Sequence, residues 1–191
     1  MAHELSGKRI AFLVANVGVE QVELTKPWQA VRDAGGEPVL IAPQKDQVQA
    51  MNGPVDKADT FDPDLALDDA SAEQFDALVL PGGVANPDAL RIDEKAVQLV
   101  KDFASAGKPI AAVCHAPWTL VEADLVRGKT LTSWPSLRTD IRNAGGEWRD
   151  EERVICTMQG FTLVTSRNPG DLDAFDAGLV QVFGSGNHPQ S

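Results

Sequence analysis

One stretch of this chain carries side chains whose types and spacing could do chemistry: Pro109-Ile-Ala-Ala-Val-Cys114-His115-Ala116-Pro117-Trp118. Ile110 to Val113 is a compact apolar run bounded by Gly107 and Pro109, and it predicts a short buried strand. Pro117 suits the first turn of a helix, where its missing N–H costs nothing. Cys114 therefore falls on a sharp strand-to-helix turn. The two backbones nearly touch at such a turn, so the residues two positions either side of the nucleophile must be small. Ala112 and Ala116 stand there. This is the physical logic of the G-x-S-x-G nucleophile elbow, with cysteine as the nucleophile and alanines flanking it. A helix N-terminus beside the sulfur favours its anion, and His115 can move a proton near neutral pH. An arbitrary cysteine after an apolar run is more often a small core residue. That bland reading fits Cys156, in Val154-Ile-Cys156, which lacks the elbow setting.

The elements that must position Cys114 follow from periodicity and punctuation. Arg9 to Ala15, Glu37 to Ala42 and Ala77 to Leu80 predict buried strands, the last ending at Pro81-Gly82-Gly83. Helices are predicted over Thr25 to Ala34, Asp93 to Ala106, Pro117 to about Asp124, Ser136 to Asn143 and Asp171 to Phe183. Val154 to Thr157 and Phe161 to Thr165 read as a hairpin. Gln44 to Gln74 reads as short strands or loop, and Gly184 to Ser191 as a loose tail. Strands alternating with helices imply one α/β domain over residues 1–191, ordered from about 8 to 183, with a mostly parallel sheet covered on both faces. Sites in such folds lie at the carboxyl ends of the strands. Glu20, Gly82-Gly83 and Cys114-His115 each follow a strand end, so these loops are expected to meet. Alone, Glu20 and Glu23 read as solvated carboxylates near a helix start, and Gly82-Gly83 as a turn.

Composition narrows the classes. The chain has 191 residues and a net charge of −11, with no cluster of Lys and Arg. Nucleic acid and anionic membranes are therefore poor candidate partners. The apolar run Pro109 to Val121 is too short for a membrane span, and Met1 to Ser6 lacks the apolar core of a signal peptide. The expected location is cytoplasmic. The two cysteines form no C-x-x-C or Cys/His ligand spacing, so neither a metal nor another cofactor is expected.

Four ordered segments resemble the ThiJ/PfpI superfamily, in its intracellular protease I and general stress protein branch. They are Glu20-Gln-Val-Glu-Leu-Thr-Lys-Pro27, Phe75-Asp-Ala-Leu-Val-Leu-Pro-Gly-Gly83, Gly107-Lys-Pro-Ile-Ala-Ala-Val-Cys-His-Ala-Pro117 and Thr165-Ser-Arg-Asn-Pro-Gly-Asp-Leu172. The resemblance spans about Lys8 to Phe183. It implies a flavodoxin-like three-layer sandwich of the class I glutamine amidotransferase type, and a homodimer or larger assembly. It implies that Cys114 is the nucleophile, that Glu20 hydrogen-bonds the sulfur, and that His115 is the adjacent acid or base. It further implies an oxyanion hole from the N–H groups of Gly83 and His115. Asp88, from a neighbouring subunit, would complete the triad. The loop before Asp88 is a residue longer than the family form. Val17-Gly18-Val19 replaces an acidic-aromatic lead, Ala116 a common glycine and Trp118 a common glutamine. The last two are expected to narrow the mouth of the site.

A carboxylate beside a thiolate repels it, so this pairing works only if the glutamate keeps its proton and donates to sulfur. On that logic Cys114 is expected to titrate about two or three units below an ordinary thiol. Such a sulfur attacks electrophilic carbonyls. The leading expectation is a stress-response deglycase or cofactor-free glyoxalase, acting on small carbonyls or glycated proteins. An intracellular cysteine peptidase acting on peptides and a non-catalytic redox sensor or chaperone-like protein are the alternatives.

Overall fold

The computed structural model describes residues 3–185. In chain order the elements are β1 (Arg9–Leu13), β2 (Val17–Glu20), α1 (Gln21–Asp33), β3 (Glu37–Ala42), β4 (Val48–Asn52), β5 (Asp56–Phe61) and β6 (Leu65–Ala66). They continue as β7 (Ala77–Leu80), α2 (Ala85–Leu90), α3 (Glu94–Ser105), β8 (Ile110–Val113), α4 (Pro117–Glu122), β9 (Thr130–Leu131) and α5 (Arg138–Asn143). The last are β10 (Glu147–Trp148), β11 (Val154–Cys156), β12 (Leu163–Ser166) and α6 (Leu172–Gly184).

Seven strands form one sheet in the order β11-β12-β8-β7-β1-β3-β6. All its pairings are parallel except β11 with β12. Side chains alternate across the pleat. Ile10, Phe12, Val79 and Val113 enter one core layer with Leu24, Val31, Phe175 and Leu179, so α1 and α6 cover that face. Ala11, Leu13, Leu78 and Ala112 enter a second layer with Val100, Phe103, Leu120 and Ile141, from α3, α4 and α5. Both faces are thus buried, as continuous apolar strands require. The result is the three-layer sandwich expected from the sequence.

Two small sheets flank the main one. β2 pairs with β4 and β4 with β5, while β9 pairs with β10. The expected Gln44–Gln74 strands are therefore mostly a hairpin outside the central sheet. The helix expected from Thr25 begins at Gln21, and Pro27 lies inside it rather than near its start. Proline there removes the N–H that would have bonded the Glu23 carbonyl. α4 ends at Glu122, and Asp124 takes a positive φ of 55° instead of extending it. The tail expected after Phe183 lies, beyond Ser185, outside the described residues. No described helix is long and apolar enough to cross a membrane.

Candidate active site

Cys114 closes β8 and has a φ of +62°. A left-handed conformation is uncommon for a residue with a Cβ, and it persists only where its surroundings impose it. Here the Cys114 N–H donates to Ser166 O at 3.1 Å, its carbonyl accepts from Trp134 N–H at 2.8 Å, and Ala116 N–H donates back to Val113 O at 3.0 Å. Ala112 and Ala116 are fully enclosed at the points where strand and turn meet. The elbow read from the sequence is present. Its helix, α4, has only six residues, which limits the dipole it can offer the sulfur.

The acid beside the sulfur is Glu23, not Glu20. Glu20 ends β2 opposite Met51, and its Oε2 accepts from Gly53 N–H at 2.9 Å. That bond ties Glu20 to the tip of the β4–β5 hairpin. Glu23 lies one turn further, on the α1 face that also carries Leu24, Pro27 and Val31, and is wholly buried. Its Oε2 accepts from Gly83 N–H at 3.1 Å, while Oε1 has no hydrogen-bond partner. Burial, then the nearby Glu20 carboxylate, push the Glu23 carboxyl up to about 8, against hydrogen bonds from Cys114 and the Gly82-Gly83 backbone. Glu23 therefore keeps its proton at neutral pH.

Burial also pushes the Cys114 thiol up, and negative charge on Glu23 would push it further. The N–H groups of Gly83 and His115 act in the opposite direction by favouring the sulfur anion. The enclosed thiol thus does not show the depressed ionisation expected from the sequence. Desolvation of a nearly closed pocket outweighs two backbone donors and a short helix.

The proton acceptor is in place. Cys114 Sγ and His115 Nδ1 are 3.1 Å apart. Burial lowers the imidazole to about 4, so His115 is neutral at pH 7 and Nδ1 can accept the thiol proton. Two indoles border its ring. Trp118 lies at a centroid distance of 5.2 Å and a 57° tilt, and Trp134 at 5.6 Å and 21°. Trp118, expected to narrow the mouth of the site, packs against the imidazole itself. Trp134, on the connection after β9, was not singled out in the sequence, where only its aromatic character and the following Pro135 could have marked it.

Asn86 was also missed. It is fully buried: its Oδ1 accepts from Ala15 N–H at 2.6 Å, and its Nδ2 donates to Pro81 O at 2.9 Å and Gly82 O at 3.0 Å. This one amide joins the end of β1 to the Gly82-Gly83 turn, so the expected convergence of those loops has a physical fastener. Gly82 can only be glycine here. A Cβ would sit 2.3 Å from Glu23 Oε2 and 2.7 Å from both Cys114 Cβ and Val113 O.

Asp88 is exposed on α2 and makes no described hydrogen bond to His115 of its own chain. Cys156 is buried, and its Sγ accepts from Thr130 N–H at 3.4 Å. It belongs to the β9–β11 packing, far in sequence and environment from the elbow.

A cysteine at positive φ on a strand-to-helix elbow, beside a histidine and a buried carboxyl, at the carboxyl end of a mostly parallel sheet, places this chain among α/β proteins with an elbow cysteine. The sequence profile described as the DJ-1/PfpI family matches residues 8–182, and this chain belongs to that family. It is 38% identical over 178 residues to "Protein/nucleic acid deglycase 2" of Escherichia coli strain K12, covering 93% of this chain and 99% of that protein. It is 39% identical over 170 residues to "General stress protein 18" of Bacillus subtilis strain 168, covering 89% and 94%. Among solved structures, a two-domain protein of Anabaena variabilis with DJ-1/ThiJ/PfpI-like and ferritin-like domains superposes with a TM-score of 0.84 at 34% identity. That match covers 96% of this chain and 52% of the larger one, so this chain spans about half of that protein.

Proposed function

We propose that this chain is a cysteine-dependent enzyme of the DJ-1/PfpI type that repairs dicarbonyl damage, as a deglycase or cofactor-free glyoxalase in the stress response. One observation carries the reading: the Cys114 thiol faces a neutral His115 at 3.1 Å. The thiol proton passes to Nδ1 as sulfur adds to the aldehyde carbon of a 2-oxoaldehyde. The oxygen that becomes negative is received by the N–H groups of Gly83 and His115. Transfer of hydrogen from the first carbon to the second gives a thioester, and water then releases a 2-hydroxy acid and the free thiol. The sum is addition of water, with no external oxidant or reductant. Glu23, holding its proton at neutral pH, prevents a second negative charge from opposing the thiolate.

The substrates in this reading are small carbonyls and the adducts they leave on proteins, and the setting is the cytoplasm. The working unit is at least a homodimer in which Asp88 of a neighbouring subunit orients His115. Support for that placement is the exposure of Asp88, together with the absence of any same-chain carboxylate bonded to the His115 ring among the described residues.

The test is production of lactate from methylglyoxal, run beside release of peptides from an unfolded protein, with wild type and Cys114→Ser. Lactate formation lost in the variant is expected. Peptide release without lactate would replace this reading with the peptidase one. Sedimentation as a monomer at micromolar concentration would remove Asp88 from the site.

A further inference from the structure

We propose that Trp134 and Trp118 form an aromatic clamp that positions the His115 imidazole, keeping Nδ1 aimed at Cys114 Sγ and the ring closed to water. Two separate parts of the chain hold the indoles in place. Trp134 is tied through its backbone to the nucleophile itself, its N–H donating to Cys114 O at 2.8 Å. Its carbonyl accepts from Ser133 Oγ at 2.8 Å, and Ser133 Oγ in turn accepts from Trp148 Nε1 at 3.0 Å. Trp118 is tied through its side chain, Nε1 donating to Asp140 Oδ2 of α5 at 3.0 Å. On its face lies the Arg91 guanidinium, 5.7 Å from the ring centroid.

Ordinary core packing does not account for Trp134. Its indole is 40% exposed, so it leaves much apolar surface in water while stacking almost flat on the imidazole. A side chain needed only to fill space would be buried. The stacked Trp134 and the tilted Trp118 both displace water from around the His115 ring. His115 as a whole is 7% exposed.

Loss of hydration disfavours the imidazolium, which accounts for the lowered His115. The other ionisable groups around the ring are few. The Cys114 thiol touches Nδ1, and protonated Glu23 lies behind that sulfur. Beyond Trp118 are Arg91, paired with Glu122 at 3.5 Å, and Asp140. None of these three is bonded to the ring. The clamp takes the orienting role until a second subunit supplies a carboxylate, and it leaves Nε2 free to receive one.

This inference rests on the proposed function only in taking Cys114 as the reacting atom, and its readout needs no turnover. The imidazole signals of 15N-labelled protein are titrated by NMR, with His115→Gln used to assign His115. In wild type His115 should titrate below an ordinary imidazole. In Trp134→Ala it should move up by at least about one unit, toward the ordinary value of ~6.5. Trp134→Phe, which keeps a flat apolar face, should restore most of the shift. Where methylglyoxal is turned over, Trp134→Ala should lower kcat about tenfold with KM little changed. Trp134→Leu keeps most of the volume without a ring, and serves if the alanine variant does not fold. An unmoved His115 in folded Trp134→Ala or Trp134→Leu overturns the clamp, as does a phenylalanine variant that behaves like alanine.

Discussion

Replacing Glu23 by Gln should make this protein progressively more stable than wild type as the pH rises, while leaving the reactivity of Cys114 at neutral pH little changed. In the folded chain Glu23 holds its proton up to about 8, whereas its ordinary carboxyl value is 4.5. Between those values the folded state binds a proton that the unfolded chain has released. Stability falls with pH wherever the folded state binds more protons, by ~1.4 kcal/mol per unit for one group. Integrated from pH 5 to pH 7, Glu23 costs the wild type ~2–3 kcal/mol. Glutamine fits the same space and cannot titrate, so the variant escapes that loss. His115 runs the other way, since its folded value is lowered and stability is lost as pH falls through the range toward 4. It is present in both proteins and cancels in the difference. The assay is urea unfolding of both at pH 5 and pH 7. The stability of Glu23→Gln relative to wild type should rise by ~2–3 kcal/mol between the two, while its rate of Cys114 alkylation at pH 7 stays close to that of wild type, because both side chains are neutral there. A difference that is the same at both pH values would refute the buried proton, and with it the role given to Glu23.

Gly82→Ala should be destabilised by at least ~2 kcal/mol, because its Cβ would overlap the Glu23 carboxyl and the Val113 carbonyl; urea midpoints measure this, and a wild-type midpoint would contradict the close approach. Brief iodoacetamide treatment followed by mass spectrometry should label Cys114 well ahead of Cys156, since the two are equally buried but only Cys114 has an imidazole 3.1 Å away to take its proton, while the Cys156 sulfur accepts from Thr130 N–H. The same labelling from pH 6 to 10 should show Cys114 rising at or above the ordinary thiol value near ~8.5, because burial raises it; a midpoint near 6 would mean that the N–H donors outweigh desolvation. Lys129→Met should cost ~2 kcal/mol or more in urea unfolding, because the buried ammonium donates to the carbonyls of Met158 and Phe161, which methionine would leave without a partner.

The strands of the central sheet were legible because each is a short apolar run between turn residues, and Ala77–Leu80 and Glu37–Ala42 fall where that pattern puts them. The elbow was legible because a nucleophile at a tight turn constrains its neighbours at fixed spacing. The choice between Glu20 and Glu23 was not made correctly. Both are carboxylates at a strand-to-helix junction, and the decision turns on where α1 begins. With the helix started at Thr25, neither residue has a helical face. Started at Gln21, Glu23 joins Pro27 and Val31 at intervals of four, on the buried stripe. Trp134 and Asn86 were missed for a different reason. Their partners are Cys114 O, Ala15 N–H and the Gly82 carbonyl, which are backbone groups remote in sequence and leave no trace in residue type. Burial acts on the thiol against the low ionisation expected, because the elbow's helix is six residues long and Cys114 is nearly enclosed, neither of which can be counted from the letters.

The order in which the chain leaves a ribosome bears on when its thiol becomes special. Cys114 is translated well before β12, whose Ser166 carbonyl receives the Cys114 N–H, and before α6, which packs against the helix carrying Glu23 and is joined to it by Lys26 and Asp173 at 2.6 Å. Until those last segments have emerged and docked, the Cys114 N–H lacks its acceptor and the helix that carries Glu23 lacks its α6 cover. A nascent or C-terminally truncated chain therefore carries an ordinary, solvated thiol, without the buried surroundings that the last segments complete.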